Sequence, residues 1–416
     1  MTRSTVHKYS LKDLFVVLFL TLPIISRWLL PSSIEMGLTK SILYIPSYIP
    51  NLLFLFFVFF AARNRKNNNL KFVFWLQLFF SIVGILINEY TDKFAFLLGG
   101  TYYFYAIFLA LYFRITENQK ILLRRILFFT LLILSLEVVL YSTGILEYSL
   151  DVTPGYDLAG IYRISTTVGG ATGTAGLIFL LGCLVFYLYG KTHYGYIALI
   201  ITAIALLLLI SRGAIAALAL FSLLYFWNDI RKSFTKFFRA VFLVGVIVVI
   251  MYNIGLIDPL LMRMEMLAYD DNILTGRDLL IESSLSTINK SGNYLFGVGT
   301  GNIFPSKDIG ILDIKQKYPG APHNSFVLTY AEQGILGILF FIFFWILLLY
   351  TIRHNKILFY ALLSFVAVLF NTETVFVVDS EFVFLLSIVI MLALDKKTIK
   401  VNIYETNSFR SFNKSI

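Results

Sequence analysis

Apolar runs long enough to cross a bilayer recur along the chain, near residues 12–30, 41–61, 71–88, 94–113, 121–141, 172–190, 194–210, 213–228, 239–256, 333–352, 356–371 and 381–394. A hydrocarbon core takes roughly 20 apolar residues as a helix, so the pattern predicts about twelve spans and an all-α polytopic membrane protein. Most polar connections are short. Two are long, 142–171 and 257–332. The expected organisation is therefore nine transmembrane helices in 1–256 with an external loop at 142–171. A large external loop with short helices at 257–332 follows, then three further spans in 333–395 and a tail at 396–416. Polar chemistry must reside in the two long loops or at nearby helix ends.

Composition agrees with this reading. Hydrophobic residues make up 58% of the 416 and charged residues only 14%, with a mean hydropathy of +0.81. A soluble domain is about half apolar and a quarter charged. The first apolar run ends in Arg27-Trp28 without a small-residue cleavage site, so it reads as a signal-anchor span. The single cysteine, Cys183, sits in an apolar run and has no disulfide partner.

Charge then orients the spans. With the N-terminus in the cytoplasm, 23 of the 34 basic residues and 5 of the 24 acidic ones fall inside. The outside holds 11 basic and 18 acidic residues, and Glu137 lies within a span. The inner face is thus +18 and the outer face −7, a strong positive-inside pattern. It holds only if Ser211-Arg212-Gly213 separates two spans, since one continuous span would flip everything downstream. The net charge of +10 is on this reading a topology signal and not a nucleic-acid patch.

Three arginines stand out on the acidic outer face. Arg163 lies in Tyr162-Arg163-Ile164-Ser165, Arg212 at the junction of two spans, and Arg277 at the head of an amphipathic stretch from Asp278 to Asn289. A guanidinium stays charged and matches phosphate oxygens bidentately, so three facing one leaflet can grip a pyrophosphate without a metal. The competing reading is that arginines at helix ends snorkel to lipid headgroups. That reading fits Arg212 least, because a charge wedged between two spans is costly without a partner.

His323 is the only histidine placed outside, so no histidine metal cluster can form there and no cofactor is expected. A histidine can take a proton from a hydroxyl nucleophile. Pro322 restricts the approach to it, and Asn324 and Ser325 can orient the ring. A lone loop histidine is nevertheless more often solvated or structural than catalytic.

Other motifs carry less. Gly297-Val298-Gly299-Thr300-Gly301 looks like a dinucleotide loop, but no βαβ pattern surrounds it, and we read it as a tight turn. Gly190-Lys191-Thr192 fails as a P-loop because Val185 replaces the required glycine. The run from Gly169 to Gly176 reads as a close helix-packing face. No Asp-x-Asp motif occurs, and Glu137 near the outer end of its span is expected to snorkel.

The ordered pieces resemble the bacterial O-antigen ligase and O-antigen polymerase superfamily. They are Tyr162-Arg163 to Gly176, Ser211-Arg212-Gly213-Ala214, Gly276-Arg277, Leu295-Phe296-Gly297-Val298-Gly299, Pro322-His323-Asn324-Ser325 and Glu332-Gln333-Gly334-Ile335-Leu336-Gly337. Together they cover roughly 160–340. The resemblance implies a metal-independent inverting glycosyltransferase in the bacterial inner membrane, with both termini cytoplasmic. Its donor would be a glycan on undecaprenyl pyrophosphate. Arg212, Arg277 and His323 would be catalytic, with Arg163 and Asn324 binding substrate. The implied partners are that donor, a glycan acceptor, membrane lipid and a chain-length regulator protein, with no nucleic acid. The chain departs from the pattern in lacking an aromatic residue at Leu279 to Ser283.

We expect an enzyme of lipopolysaccharide or capsule biosynthesis, either a polymerase acting on a second lipid-linked repeat unit or a ligase acting on lipid A-core. A flippase would also show about twelve spans, but it needs ionisable groups within them, and only Glu137 is placed there. A non-enzymatic scaffold would leave Arg212 without a reason.

Overall fold

A computed structural model of the chain describes residues 10–29, 68–87, 101–143, 145, 171–233, 245, 249, 252–253, 277–300, 303, 322–372 and 380–395. All regular structure among the described residues is helical. The helices are α1 (Leu11–Leu29), α2 (Asn68–Ile87), α3 (Thr101–Tyr112), α4 (Glu117–Ser142), α5 (Ala171–Tyr189), α6 (His193–Leu208) and α7 (Arg212–Lys232). They continue with α8 (Arg277–Ser291), α9 (Ser325–Ile352), α10 (Lys356–Ser364), a π-helical turn (Phe365–Leu369), α11 (Phe370–Thr372) and α12 (Ser380–Ala393). Ten of the predicted spans coincide with described helices, and those at 41–61 and 239–256 fall almost wholly outside the described residues. By length and composition, Asn68–Ile87 and Ser325–Ile352 can each cross a membrane, and five shorter apolar helices accompany them.

A helix that is apolar all round belongs in the interior, and α5 obeys this. From Thr174 to Phe186 every residue is buried. It packs against α4, α6, α7, α10 and α12. Gly182 permits the tightest approach: a Cβ there would lie 2.0 Å from Thr202 Oγ1 on α6. Within the run from Gly169 to Gly176, Thr174 and Ala175 are buried, as a helix-packing face requires, and Gly182 extends that packing beyond it.

One end of the bundle gathers the charges that the positive-inside count assigns to a single side. Asp395, after α12, accepts from Arg114 Nη2 at 3.2 Å and from Lys120 Nζ at 2.9 Å. Lys120 also pairs with Glu117 at 2.9 Å. Burial pushes the Lys120 ammonium down, but the hydrogen bonds and charges of Glu117 and Asp395 outweigh this and hold it above its ordinary value. A capping box starts α4 here, with Thr116 and Gln119 each accepting from the other's backbone N–H. Gln119 Nε2 also reaches Asp13 of α1 at 3.1 Å. Arg124 lies over the Tyr189 ring and Lys71 over that of Tyr112.

The Ser211-Arg212-Gly213 junction breaks the chain as the charge count requires. Helix α6 ends at Leu208 and α7 begins at Arg212. Tyr196 at the start of α6 stacks on Phe226 near the end of α7 at 6.4 Å, and Lys191 Nζ sits 5.6 Å from the Tyr225 ring. The two helices therefore run antiparallel, and Arg212 stands at the end of the bundle opposite the charge cluster.

Candidate functional site

Helix α9 is the element around which the site is built. It is two helices meeting at Gly334, whose φ of 67° and ψ of −166° are open essentially only to glycine. In an unbroken helix Ile335 N–H would donate to Ala331 and Leu336 N–H to Glu332. Here the segment from Asn293 to Gly299 enters the gap and takes over both rungs. Val298 N–H donates to Ala331 O at 3.0 Å and Gly299 N–H to Glu332 O at 2.9 Å. Ile335 N–H donates to Tyr294 O at 2.9 Å and Leu336 N–H to Leu295 O at 3.3 Å. All four freed backbone groups are satisfied, as an apolar setting demands.

Such an approach of backbone to backbone leaves no room for side chains. A Cβ at Gly297 would lie 2.5 Å from Glu332 C, and one at Gly334 would lie 2.4 Å from Leu295 O. The turn expected at Gly297 to Gly301 is present in its described part, with positive φ at Gly297 and Gly299. Two separate sequence motifs, Leu295 to Gly299 and Glu332 to Gly337, are thus halves of one interlocked unit. The break also explains a boundary. The span predicted to begin at 333 matches the second half of α9, whereas helix already starts at Ser325, on the loop side of the break.

Arg212, His323 and Asn324 stand at helix N-termini. Arg212 is the first residue of α7, and its side chain is exposed. Ile210, two residues earlier, has φ +53°, the only non-glycine residue with positive φ among those described. For a β-branched residue that conformation is a true outlier, and the strained turn aims the start of α7. Arg277 is the first described residue of α8, which packs on α9. His323 is half-buried and directly precedes Asn324, the N-cap of α9. Asn324 Oδ1 accepts from the N–H groups of Phe326 at 2.9 Å and Val327 at 3.0 Å. That oxygen is committed to capping, a role the substrate-binding expectation did not include. Arg163 lies outside the described residues.

The segments of Arg212 and His323 meet through α11. A Cβ on Gly213 would lie 2.5 Å from Thr372 Oγ1. Phe370 packs 5.6 Å from the Phe326 ring, one turn beyond His323. The π-helical turn before α11 packs on α7, and such turns concentrate at functional sites. Nothing in the apolar pattern of 356–371 marks this turn or the role of Thr372.

Two carboxylates differ from expectation. Glu137 is buried at 9% exposure instead of reaching outward. Glu332, assigned to the loop, lies in α9 at the break and is 4% exposed. Beside Glu137 and the Asp395 of the charge cluster, Glu332 is thus a further buried acid, and it sits at the interlocked unit.

Residues 197–342, which run from α6 through most of α9, match the family model described as O-antigen ligase. The match spans about a third of the chain, and over that stretch the chain is similar to the O-antigen ligase family. The matched stretch contains Arg212, Arg277, His323 and the whole interlocked unit. No curated protein matches the chain.

Proposed function

We propose that the chain is a metal-independent, inverting polymerase that joins undecaprenyl-pyrophosphate-linked repeat units at the outer face of the plasma membrane. The observation that carries this reading is the position of Arg212 and His323 at the N-termini of α7 and α9. Unpaired amides and the positive end of the helix dipole favour an anion there. The same dipole disfavours a cation in the first turn, and a phosphate bound there would relieve that conflict.

In this mechanism Arg212 and Arg277 grip the pyrophosphate and neutralise the charge that grows as the anomeric C–O bond breaks. His323 accepts the proton from the acceptor hydroxyl as that oxygen attacks the opposite face of the anomeric carbon. The new glycosidic bond has inverted configuration, and the lipid pyrophosphate leaves. Arg163 assists donor binding. A ligase that uses lipid A-core as acceptor would share these steps, and the match to an O-antigen ligase family keeps it as the second reading.

The test uses the purified chain in lipid with lipid-pyrophosphate-linked repeat units and excess EDTA. Arg212→Lys and Arg277→Lys each lose on the order of 10²-fold in turnover, since lysine offers a point charge without the fork. His323→Ala abolishes product. Full turnover with both lysine variants returns the arginines to headgroup snorkelling. Loss of wild-type activity in EDTA undoes the metal-independent mechanism. Extension of lipid-linked glycan marks a polymerase, and transfer only to lipid A-core marks a ligase.

A further inference from the structure

We propose that α2, which lies outside the family-matched stretch, positions the active site by clamping the loop into the break of α9. Three residues on one face of α2 carry this. Gln77 Nε2 donates to Gln333 Oε1 beside the break at 3.5 Å, the long limit of a hydrogen bond, and Gln77 Oε1 accepts from Tyr103 Oη at 3.2 Å. Gln77 is fully buried, so its amide is held there and not solvated. One turn on, the Phe80 ring stacks on Phe340 at 5.2 Å and lies 6.3 Å from Phe296. One further turn on, a Cβ at Gly84 would lie 2.9 Å from Phe296 O. Residues 77, 80 and 84 share one side of a helix. That side meets the half-helix, the spanning half and the inserted loop in turn. Gln77 and Gly84 are positioning residues. They touch no reacting group, but they hold the unit that ends in the Asn324 cap and His323.

The inference rests on the proposed reaction, and two readouts separate them. In the purified full chain in lipid, we would compare wild type, Gly84→Ala and Gln77→Met. The first readout is hydrogen exchange at the amides of Val298, Gly299, Ile335 and Leu336. The second is kcat and KM with the lipid-pyrophosphate-linked oligosaccharide. Alanine is the better helix former, so Gly84→Ala preserves α2 and its only cost falls on the loop carbonyl. The expected result is faster exchange at those four amides with α5 unchanged. Turnover falls about tenfold in both variants while KM stays within about twofold, because an ångström-scale misplacement acts on the chemical step. Unchanged exchange in both variants overturns the clamp. Faster exchange with wild-type kcat overturns the positioning role. A wild-type chain that transfers nothing from this donor overturns the proposed function instead, and the exchange comparison then still decides whether α2 holds the loop.

Discussion

Gly334→Ala tests whether the break in α9 is needed for activity. Alanine cannot hold φ 67° and ψ −166° without about 1–3 kcal/mol of strain. Its Cβ would also meet Leu295 O at 2.4 Å. The helix has an escape: it can straighten and re-form the rungs from Ile335 to Ala331 and from Leu336 to Glu332. The loop then loses its partners. The amides of Val298 and Gly299, both at buried residues, would each cost about 1–3 kcal/mol if left unsatisfied. The straightened helix recovers part of that, so the net loss of stability is about 1–3 kcal/mol. The effect on activity is larger. Residues Ser325 to Gln333 form a lever of roughly 14 Å at 1.5 Å per residue. Removing a kink of even about 20° moves its far end, next to His323, by about 5 Å. Since about 1 Å of misplacement costs up to 10²-fold, turnover should fall by at least that factor. The assay is glycan transfer by protein matched for membrane abundance, with thermal unfolding in the same lipid. Wild-type turnover in Gly334→Ala would refute the argument, because the interlocked loop would then be dispensable.

Three further outcomes follow from the same structure. Cysteines at Ser306 and Asp157 should react with an impermeant thiol reagent in intact spheroplasts and one at Asn68 should not; the reverse labelling would invert the orientation. Asn324→Ala should cost about 1 kcal/mol of stability through the lost cap, and Asn324→Asp should restore it; if Asp restores stability but not activity, the side chain also serves substrate. Lys120→Met should destabilise by on the order of 3 kcal/mol by stripping a partner from the buried Asp395. Because the folded Lys120 titrates above its ordinary 10.5, its contribution is fully present below that pH and is lost as pH rises through the folded value. Wild-type and Lys120→Met melting temperatures should therefore stay apart by a constant amount between pH 6 and 9 and converge only above about 10.5; convergence near neutral pH would show that the pair does not act this way.

Local pattern alone determined much of this protein. Apolar length placed ten helices that the structure describes, and charge asymmetry required the break at Arg212 that α6 and α7 show. The cap at Asn324 is local chemistry too, a short polar side chain ahead of an apolar run, although the family resemblance gives that residue to substrate. What the tertiary structure decided lies in backbone pairing. The bonds joining 294–299 to 331–336 use only N–H and C=O groups, which every non-proline residue possesses, so no periodicity reports them. Their trace in the sequence is four glycines, Gly84, Gly297, Gly299 and Gly334, whose reason appears only when the opposing backbone is in place. The same holds for Gln77. A single polar residue in an apolar run reads as a tolerated exception until Gln333 and Tyr103, 256 and 26 positions away, surround it. Residues distant in sequence become partners only through packing, and packing is a property of the whole bundle.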